Sequence, residues 1–280
     1  MRVGVGLPNT VSGTAGGQIL DWARRADAGA FSSLAVLDRV QYDSYDPLTT
    51  LAVAAGATER IRLATMIVVA PLHNTTLLAK AAATVNALSQ GRFTLGLAVG
   101  ARKSDYDAVG APYDGRGSRF EGQLGVLRAQ WEDRAIGPLT TESPAPELLI
   151  GGNSEATFGR VARYANGYMH GGGPPTIFAR MAEKALAAWS DAGRPGRPKL
   201  WGMGYFALGD EVRDGGLDYL RDYYAFTGPF AERIAQGLLT TPQSIAQFVR
   251  GYEEAGCDEL ILFPTSASLT QLERLAAVIG

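Results

Sequence analysis

Short apolar runs, nearly all separated by helical patterns, recur eight times along the chain, and this alternation limits the fold more than any other feature. RVGVGL (2–7) leads into GGQILDWARRADAGA (16–30), where Ile19, Leu20, Ala23 and Ala26 fall at helical spacing. The later apolar runs are SSLAVL (32–37), IRLATMIVVA (61–70), RFTLGLAVG (92–100), ELLIGG (147–152), GYMHGGG (167–173), KLWGMGYFAL (199–208) and DELILFP (258–264). Helical patterns separate them. PLTTLAVAAGATE (47–59) carries Pro47 in its first turn, and LLAKAAATVNALSQG (77–91) is stopped by Gly91. SRFEGQLGVLRAQW (118–131), EATFGRVARYA (155–165), TIFARMAEKALAAWSDAG (176–193), a segment within 211–238, and TPQSIAQFVRGYEEAG (241–256) follow, and LTQLERLAAVIG closes the chain.

Runs this continuously apolar suit strands buried on both faces, the condition of a parallel sheet. Regular strand–helix alternation over about 250 residues is the pattern of an α/β fold of the (β/α)8 TIM-barrel type. A doubly wound open sheet is the alternative. Its G-x-G-x-x-G fingerprint is missing after the first run, where GLPNTVSG stands. No repeat, linker or low-complexity tract divides the chain. One domain over 1–280 is therefore expected, with insertions at 101–117 after the fourth strand and 209–240 after the seventh. With 46% hydrophobic residues, such a domain has ample apolar area for a core.

The charge balance narrows the partners. A net charge of -2 points to neither nucleic acid nor an anionic membrane, and no apolar stretch approaches the roughly 18 residues of a membrane span. Cys257 is the single cysteine, which permits no internal disulfide, and MRVGVGLPN is too short an apolar start for a signal peptide; a cytoplasmic location is expected.

In a barrel of this type the site lies at the C-terminal ends of the strands. The residues there are Pro8–Asn9, Asp38–Arg39, Ala70–Pro71 with His73, Gly100–Ala101, Gly151 to Asn153, His170 to Gly173, Leu208–Gly209 and Pro264–Thr265. No lysine stands among them, which argues against Schiff-base chemistry: Lys80 and Lys184 fall in helical patterns, Lys199 starts a strand and Lys103 lies in an insertion. His73 and His170 are the two histidines, too few for a catalytic metal site with so few carboxylates nearby, so no metal is expected. Asp38 stands nearly alone, which argues against a glycosidase pair. These strand ends offer room and backbone N–H groups, and that suits a bound cofactor that carries the chemistry.

WARRADAGAFSSLAVLDR, IRLATMIVVAPLHNTTLLAKAAATVNALSQGRFTLGLAVG, RFEGQLGVLRAQW, LIGGNSEATFGRVARYANGY and AGCDELILFP follow one another in an order that resembles the bacterial-luciferase-like superfamily. Its members are barrel oxidoreductases that use FMN or the deazaflavin coenzyme F420, and the resemblance covers nearly the whole chain. It implies that Thr65, Met66 and Ile67 belong to a bulge behind the middle flavin ring. In F420-dependent members that bulge holds a non-prolyl cis peptide, here Met66–Ile67. It places Ala98, Val99 and Gly100 beside the ring's polar edge, with Asp38 among the cofactor contacts. It makes Gly151, Gly152 and Asn153, together with Gly171, Gly172 and Gly173, a phosphate cradle to which His170 would add a hydrogen bond. Ser154 would cap the following helix. The plainer alternative is that the glycines only make tight strand-to-helix turns and His170 is a packed core histidine.

Two departures from the family pattern bear on the reaction. The family's sugar-phosphate dehydrogenases carry a histidine after the aspartate of strand two and a glutamate after the glycine of strand four; here Arg39 and Ala101 stand in those places. Arginine is no general base. What remains is hydride transfer to an electrophilic double bond, an activated alkene or imine, with Asp38, Arg39 and His73 as the candidate polar groups. A structural Asp38–Arg39 ion pair is the plainer reading of the first two. Coenzyme F420 is preferred over FMN because the short chain and the LATMIVV segment look most like that branch. An FMN-dependent monooxygenase, a non-catalytic flavin-binding paralogue and a barrel for another phosphorylated ligand are the alternatives. Arg39, Arg102, Lys103 and Arg180 are candidates for the acidic F420 tail, or else solvated surface charges. The aromatic segment 219–238 is expected either to roof a pocket for a small-molecule substrate or to face a partner. Family members are often dimers, so a homodimer is expected.

Overall fold

The computed structural model describes residues 1–141 and 143–280. The apolar runs form β1 (Arg2–Gly6), β2 (Ser33–Val36), β3 (Arg62–Thr65), β4 (Val68–Val69), β5 (Phe93–Ala98), β6 (Glu147–Gly151), β7 (Gly167–Met169), β8 (Lys199–Phe206) and β9 (Glu259–Pro264). The helices are α1 (Gly16–Ala28), α2 (Pro47–Ala57), α3 (Thr75–Leu88), α4 (Lys103–Ala108), α5 (Arg116–Glu132), α6 (Glu155–Tyr164), α7 (Pro175–Asp191), α8 (Asp210–Tyr223), α9 (Phe230–Ala235), α10 (Pro242–Glu254) and α11 (Leu269–Ile279). The sheet order is β3-β2-β1-β9-β8-β7-β6-β5-β4, all pairings are parallel, and a further β3–β5 pairing closes the barrel. The fold is thus the expected α/β TIM barrel of eight staves.

The third stave corrects the sequence reading. One strand was expected over 61–70, but the run splits into β3 and β4, and Ala70–Leu72 form a 3-10 turn. Both halves pair with β5, Ala64 opposite Thr94 and Val68 opposite Leu97. The stave therefore advances four residues where its partner advances three. That one extra residue is a bulge, which lifts Met66 and Ile67 out of the ladder. The Met66–Ile67 peptide is cis, as is Gly137–Pro138.

Strand alternation builds two cores. Leu34, Leu63, Leu148, Leu260 and Leu262 face outward and pack with helix residues such as Trp22, Leu51, Phe158 and Phe178. Ala35, Ala64, Leu149, Met169, Met203 and Ile261 fill the barrel interior. KLWGMGYF in β8 shows why the residues alternate in size. Trp201, Met203 and Tyr205 fill the interior, whereas a Cβ at Gly202 or Gly204 would strike the Tyr252 or Phe248 ring of α10 at 2.3 or 2.7 Å. Helix starts follow local chemistry as well. Asp46 and Asn74 accept the Thr49 and Leu77 N–H groups at 2.7 and 3.1 Å, and Thr241 and Ser244 form a capping box at the start of α10.

The segment between β5 and α5 carries α4. The segment between β8 and α10 carries α8 and α9, and its tyrosines pack into the interior cluster over the barrel mouth.

Candidate active site

The bulge and its neighbours form one wall of the mouth. Thr65 is fully buried, and its hydroxyl donates to the Gly96 carbonyl and accepts the Gly96 N–H at 2.9 and 2.8 Å. It therefore bridges the ladder beside the bulge, and its side chain is committed to β5. Met66 is nearly buried, and Ile67 is half-exposed. Ala98, Val99 and Gly100 follow on β5. Gly100 has φ +67°, and a Cβ there would come 2.5 Å from Val69 Cγ1, so this backbone lies directly against β4.

Asp38 and His73 meet at the mouth. Asp38 is 6% exposed; its Oδ2 accepts the Val69 N–H at 2.8 Å and lies 3.9 Å from His73 Nε2. Arg39 turns the other way, so the expected Asp38–Arg39 ion pair is corrected: among the described residues the pair does not form. The Arg39 guanidinium lies 4.1 Å from the Tyr42 ring centroid and donates to the Tyr223 carbonyl at 3.2 Å. The aromatic face and the carbonyl hold it away from its neighbour in sequence. Arg102 is also corrected as a solvated charge. Its side chain is 10% exposed, lies 4.4 Å from the Tyr223 centroid and 4.6 Å from that of Phe226, and donates to the same Tyr223 carbonyl at 3.4 Å. Lys103 pairs with Asp107 on the surface, and Arg180 is exposed.

The two glycine clusters differ. A Cβ at Gly151 would approach Ile67 Cγ2 to 3.2 Å, and one at Gly152, where φ is +132°, would meet Thr157 Oγ1 at 2.7 Å. Protein therefore accounts for both: Gly151 makes room for the bulge and Gly152 for the first turn of α6. The expected Ser154 cap is also corrected. Its hydroxyl makes no bond to the helix backbone and lies 3.0 Å from the Thr157 hydroxyl instead. Around Gly171 a Cβ would meet nothing, and Gly172 and Gly173 take φ values of +96° and +117°. Among the described residues, the N–H groups of Gly171, Gly172 and Gly173 have no protein acceptor.

His170 stands behind this corner. It is 1% exposed, packs against Phe178, and leaves Nε2 without a partner. Burial pushes its pKa down to about 4, against an opposing effect of the Gly172 backbone, so the ring is neutral. Its Nδ1 lies 3.1 Å from the Tyr168 hydroxyl, which is 3.3 Å from Asn153 Oδ1. The Tyr168 hydroxyl gives its one proton to Asn153 and so accepts from Nδ1–H, which leaves Nε2 as the unprotonated nitrogen of the neutral ring. Tyr168 thus joins the ends of β6 and β7. The sequence reading missed it, although Tyr168 and His170, two residues apart, share one face of the strand.

Other polar groups hold the mouth together. Asn9 spans the first two strand ends, donating to the Leu37 carbonyl at 2.8 Å and accepting the Leu37 N–H at 3.1 Å. The roof is tyrosine-rich. Tyr219 reaches Thr10 at 2.7 Å and stacks on Tyr223, Tyr224 reaches Tyr205 at 2.8 Å, and Tyr42 donates to Asp222 at 2.6 Å. Burial raises the pKa of Tyr205 and Tyr219, which keeps both as neutral phenols. Among the described residues no group of three metal-ligating side chains occurs, and no helix is long and apolar enough to cross a membrane.

Comparison with known proteins agrees with this architecture. The family model described as luciferase-like monooxygenase matches residues 1–237. An uncharacterised protein of Mycobacterium tuberculosis is 30% identical over 207 residues, which cover 61% of this chain and 71% of that protein. An F420-dependent secondary alcohol dehydrogenase, solved with an F420–acetone adduct, superposes with a TM-score of 0.81 at 16% identity, covering 99% of this chain and 98% of that one. Monooxygenase RslO1 from Streptomyces bottropensis superposes with a TM-score of 0.77 at 20% identity, covering 99% and 97%. At such identities the two superpositions speak for the fold, while the family model spans most of the sequence. The chain belongs to the luciferase-like monooxygenase family.

Proposed function

We propose that this protein is an oxidoreductase that binds coenzyme F420 at the barrel mouth and reduces an activated alkene or imine of a small organic substrate. The observation that carries this reading is the His170–Gly173 corner. Three successive glycine N–H groups lack a protein acceptor there, and a buried imidazole nitrogen lacks a partner beside them. A phosphate fits three such N–H donors. Gly171 to Gly173 would hold it beside the His170 ring, Met66 and Ile67 would back the cofactor ring, and Ala98 to Gly100 would meet its polar edge. Bound there, the deazaflavin supplies the hydride.

The chain's own residues supply the rest. His73, whose Nε2 lies 3.9 Å from Asp38 Oδ2 and has no hydrogen-bond partner, would pass a proton to the substrate atom that becomes basic on reduction. The α8 tyrosines exclude water from the mouth. The location in the cytoplasm and a homodimeric state belong to the same reading, and light scattering tests the latter.

The description of the family as monooxygenases favours a second reading, an FMN-dependent enzyme. Fluorescence titration with oxidised F420 and with FMN separates the two. Quenching of F420 alone is expected, and quenching of neither overturns both. Reduced cofactor is then offered with a panel of enones and imines. Tight binding without consumption of reduced cofactor would make the protein a non-catalytic cofactor holder.

A further inference from the structure

The chain carries two guanidinium groups beside its mouth that share one weak protein acceptor. Arg39 donates to the Tyr223 carbonyl at 3.2 Å and Arg102 donates to the same oxygen at 3.4 Å. A guanidinium offers five N–H donors. The Nε atoms of both arginines are buried without a partner. Asp105 is the nearby carboxylate, but it lies 4.0 Å from Arg102, and its other oxygen already accepts the Gln41 N–H at 2.9 Å. Burial and the Arg102 charge both push the Arg39 pKa below its usual value. Asp105 acts on both partly buried cations, and Arg39 is the less compensated of the two, since the Arg102 pKa is held above its usual value.

Topology says which molecule the pair would serve. Arg39 follows β2 and Arg102 follows β5, the two staves that flank the bulged third stave. In the closed ring, β2 lies opposite β7, which carries the Gly171–Gly173 corner. Arg39 and the Gly171–Gly173 corner thus stand on opposite sides of the ring.

We propose that Arg39 and Arg102 form an anion subsite that takes a carboxylate or phosphate carried by the substrate, its place held by the Tyr223 carbonyl while α8 covers the mouth. The assignment to substrate rests on the oxidoreductase reading above; the anion binding itself does not. Convergent guanidinium donors suit an anion with two or three oxygens. Two guanidinium groups that converge on one oxygen make an acidic substrate the expected complement.

The test is a thermal-shift and tyrosine-fluorescence titration of the whole protein with inorganic phosphate and with succinate at fixed ionic strength. Either anion is expected to raise the unfolding midpoint in a saturable manner and to change the tyrosine emission as α8 moves. Arg39→Gln and Arg102→Gln should each weaken that binding about tenfold or more, while Arg180→Gln should not. Arg39→Lys serves if Arg39→Gln fails to fold. Equal responses in wild type and both variants overturn the subsite and leave the arginines as staples for α8. Binding of F420 is compared with binding of its tail-less deazaflavin fragment in the same proteins. A variant effect on F420 but not on the fragment moves the anion to the cofactor's tail and overturns the substrate assignment. Loss of flavin binding with anion binding intact overturns the oxidoreductase reading alone.

Discussion

The two ends of the barrel treat charge differently. At the N-terminal end Glu259 is fully buried, accepts the Ser32 and Ser33 hydroxyls, and faces Arg2 at 2.9 Å. Glu147 sits between Lys199 and Arg62, the latter at 3.0 Å. A cavity of about 490 Å³ opens beside it, lined in part by Arg62, Asn86, Glu147 and Lys199, but its carboxylate is already met by cations. At the C-terminal end the balance fails. Arg39 and Arg102 share one distant carboxylate, and His73 and His170 each leave Nε2 unpartnered. Charge that is closed on itself fixes the geometry of a barrel. Unpartnered buried atoms occur at both ends, Arg62 Nε and Glu259 Oε2 at the base among them, so it is the shortage of counter-charge that sets the mouth apart.

The comparison breaks if a change at the mouth acts like a change at the base. The largest effect expected is on turnover. His73→Gln should lower kcat on the order of 100-fold, read as oxidation of reduced cofactor, with cofactor affinity nearly unchanged. Glu259→Ala should do the reverse. It strips Ser32, Ser33 and Arg2 of their acceptor and should cost about 3 kcal/mol in urea unfolding, with cofactor affinity unaltered.

His170 tests the mouth by pH. Its folded pKa of about 4 lies below the ordinary 6.5, so the unfolded chain takes up the proton first. The stability owed to the neutral ring is complete above pH 6.5 and is lost as pH falls toward 4. That loss amounts to about 3 kcal/mol, and His170→Gln should remove this part of the acid dependence.

The glycine clusters give the smallest and sharpest contrast. Gly152→Ala should cost about 1–3 kcal/mol, because it strains a left-handed backbone and strikes Thr157. Gly171→Ala should leave stability within about 0.5 kcal/mol yet weaken cofactor binding, since only a ligand would meet the new methyl. Equal stability losses at both positions would make the HGGG corner a turn and nothing more.

Most of the barrel was legible because its signals are local. The apolar runs, Pro47 in the first turn of α2 and the glycines ending helices each act within a few residues. The site was legible only as a set of strand ends. LATMIVV reads as an unbroken strand, since a bulge is a mismatch with β5, and β5 lies elsewhere in the sequence. Asp38 and Arg39 are neighbours in the chain, and proximity suggested an ion pair. Tyr223 and Val69, far away in sequence, draw them apart.

The sequence by itself determined the alternation of buried strands and helices, and with it the parallel barrel, because hydrophobic periodicity and capping are short-range. It also determined which chemistries lacked their residues. The tertiary structure decided what each glycine serves, which nitrogen of His170 is left open, and that Arg102 is buried beside Arg39. Those outcomes depend on contacts between elements, such as Gly151 with Ile67 and Arg102 with Tyr223, which hydrophobic periodicity does not encode.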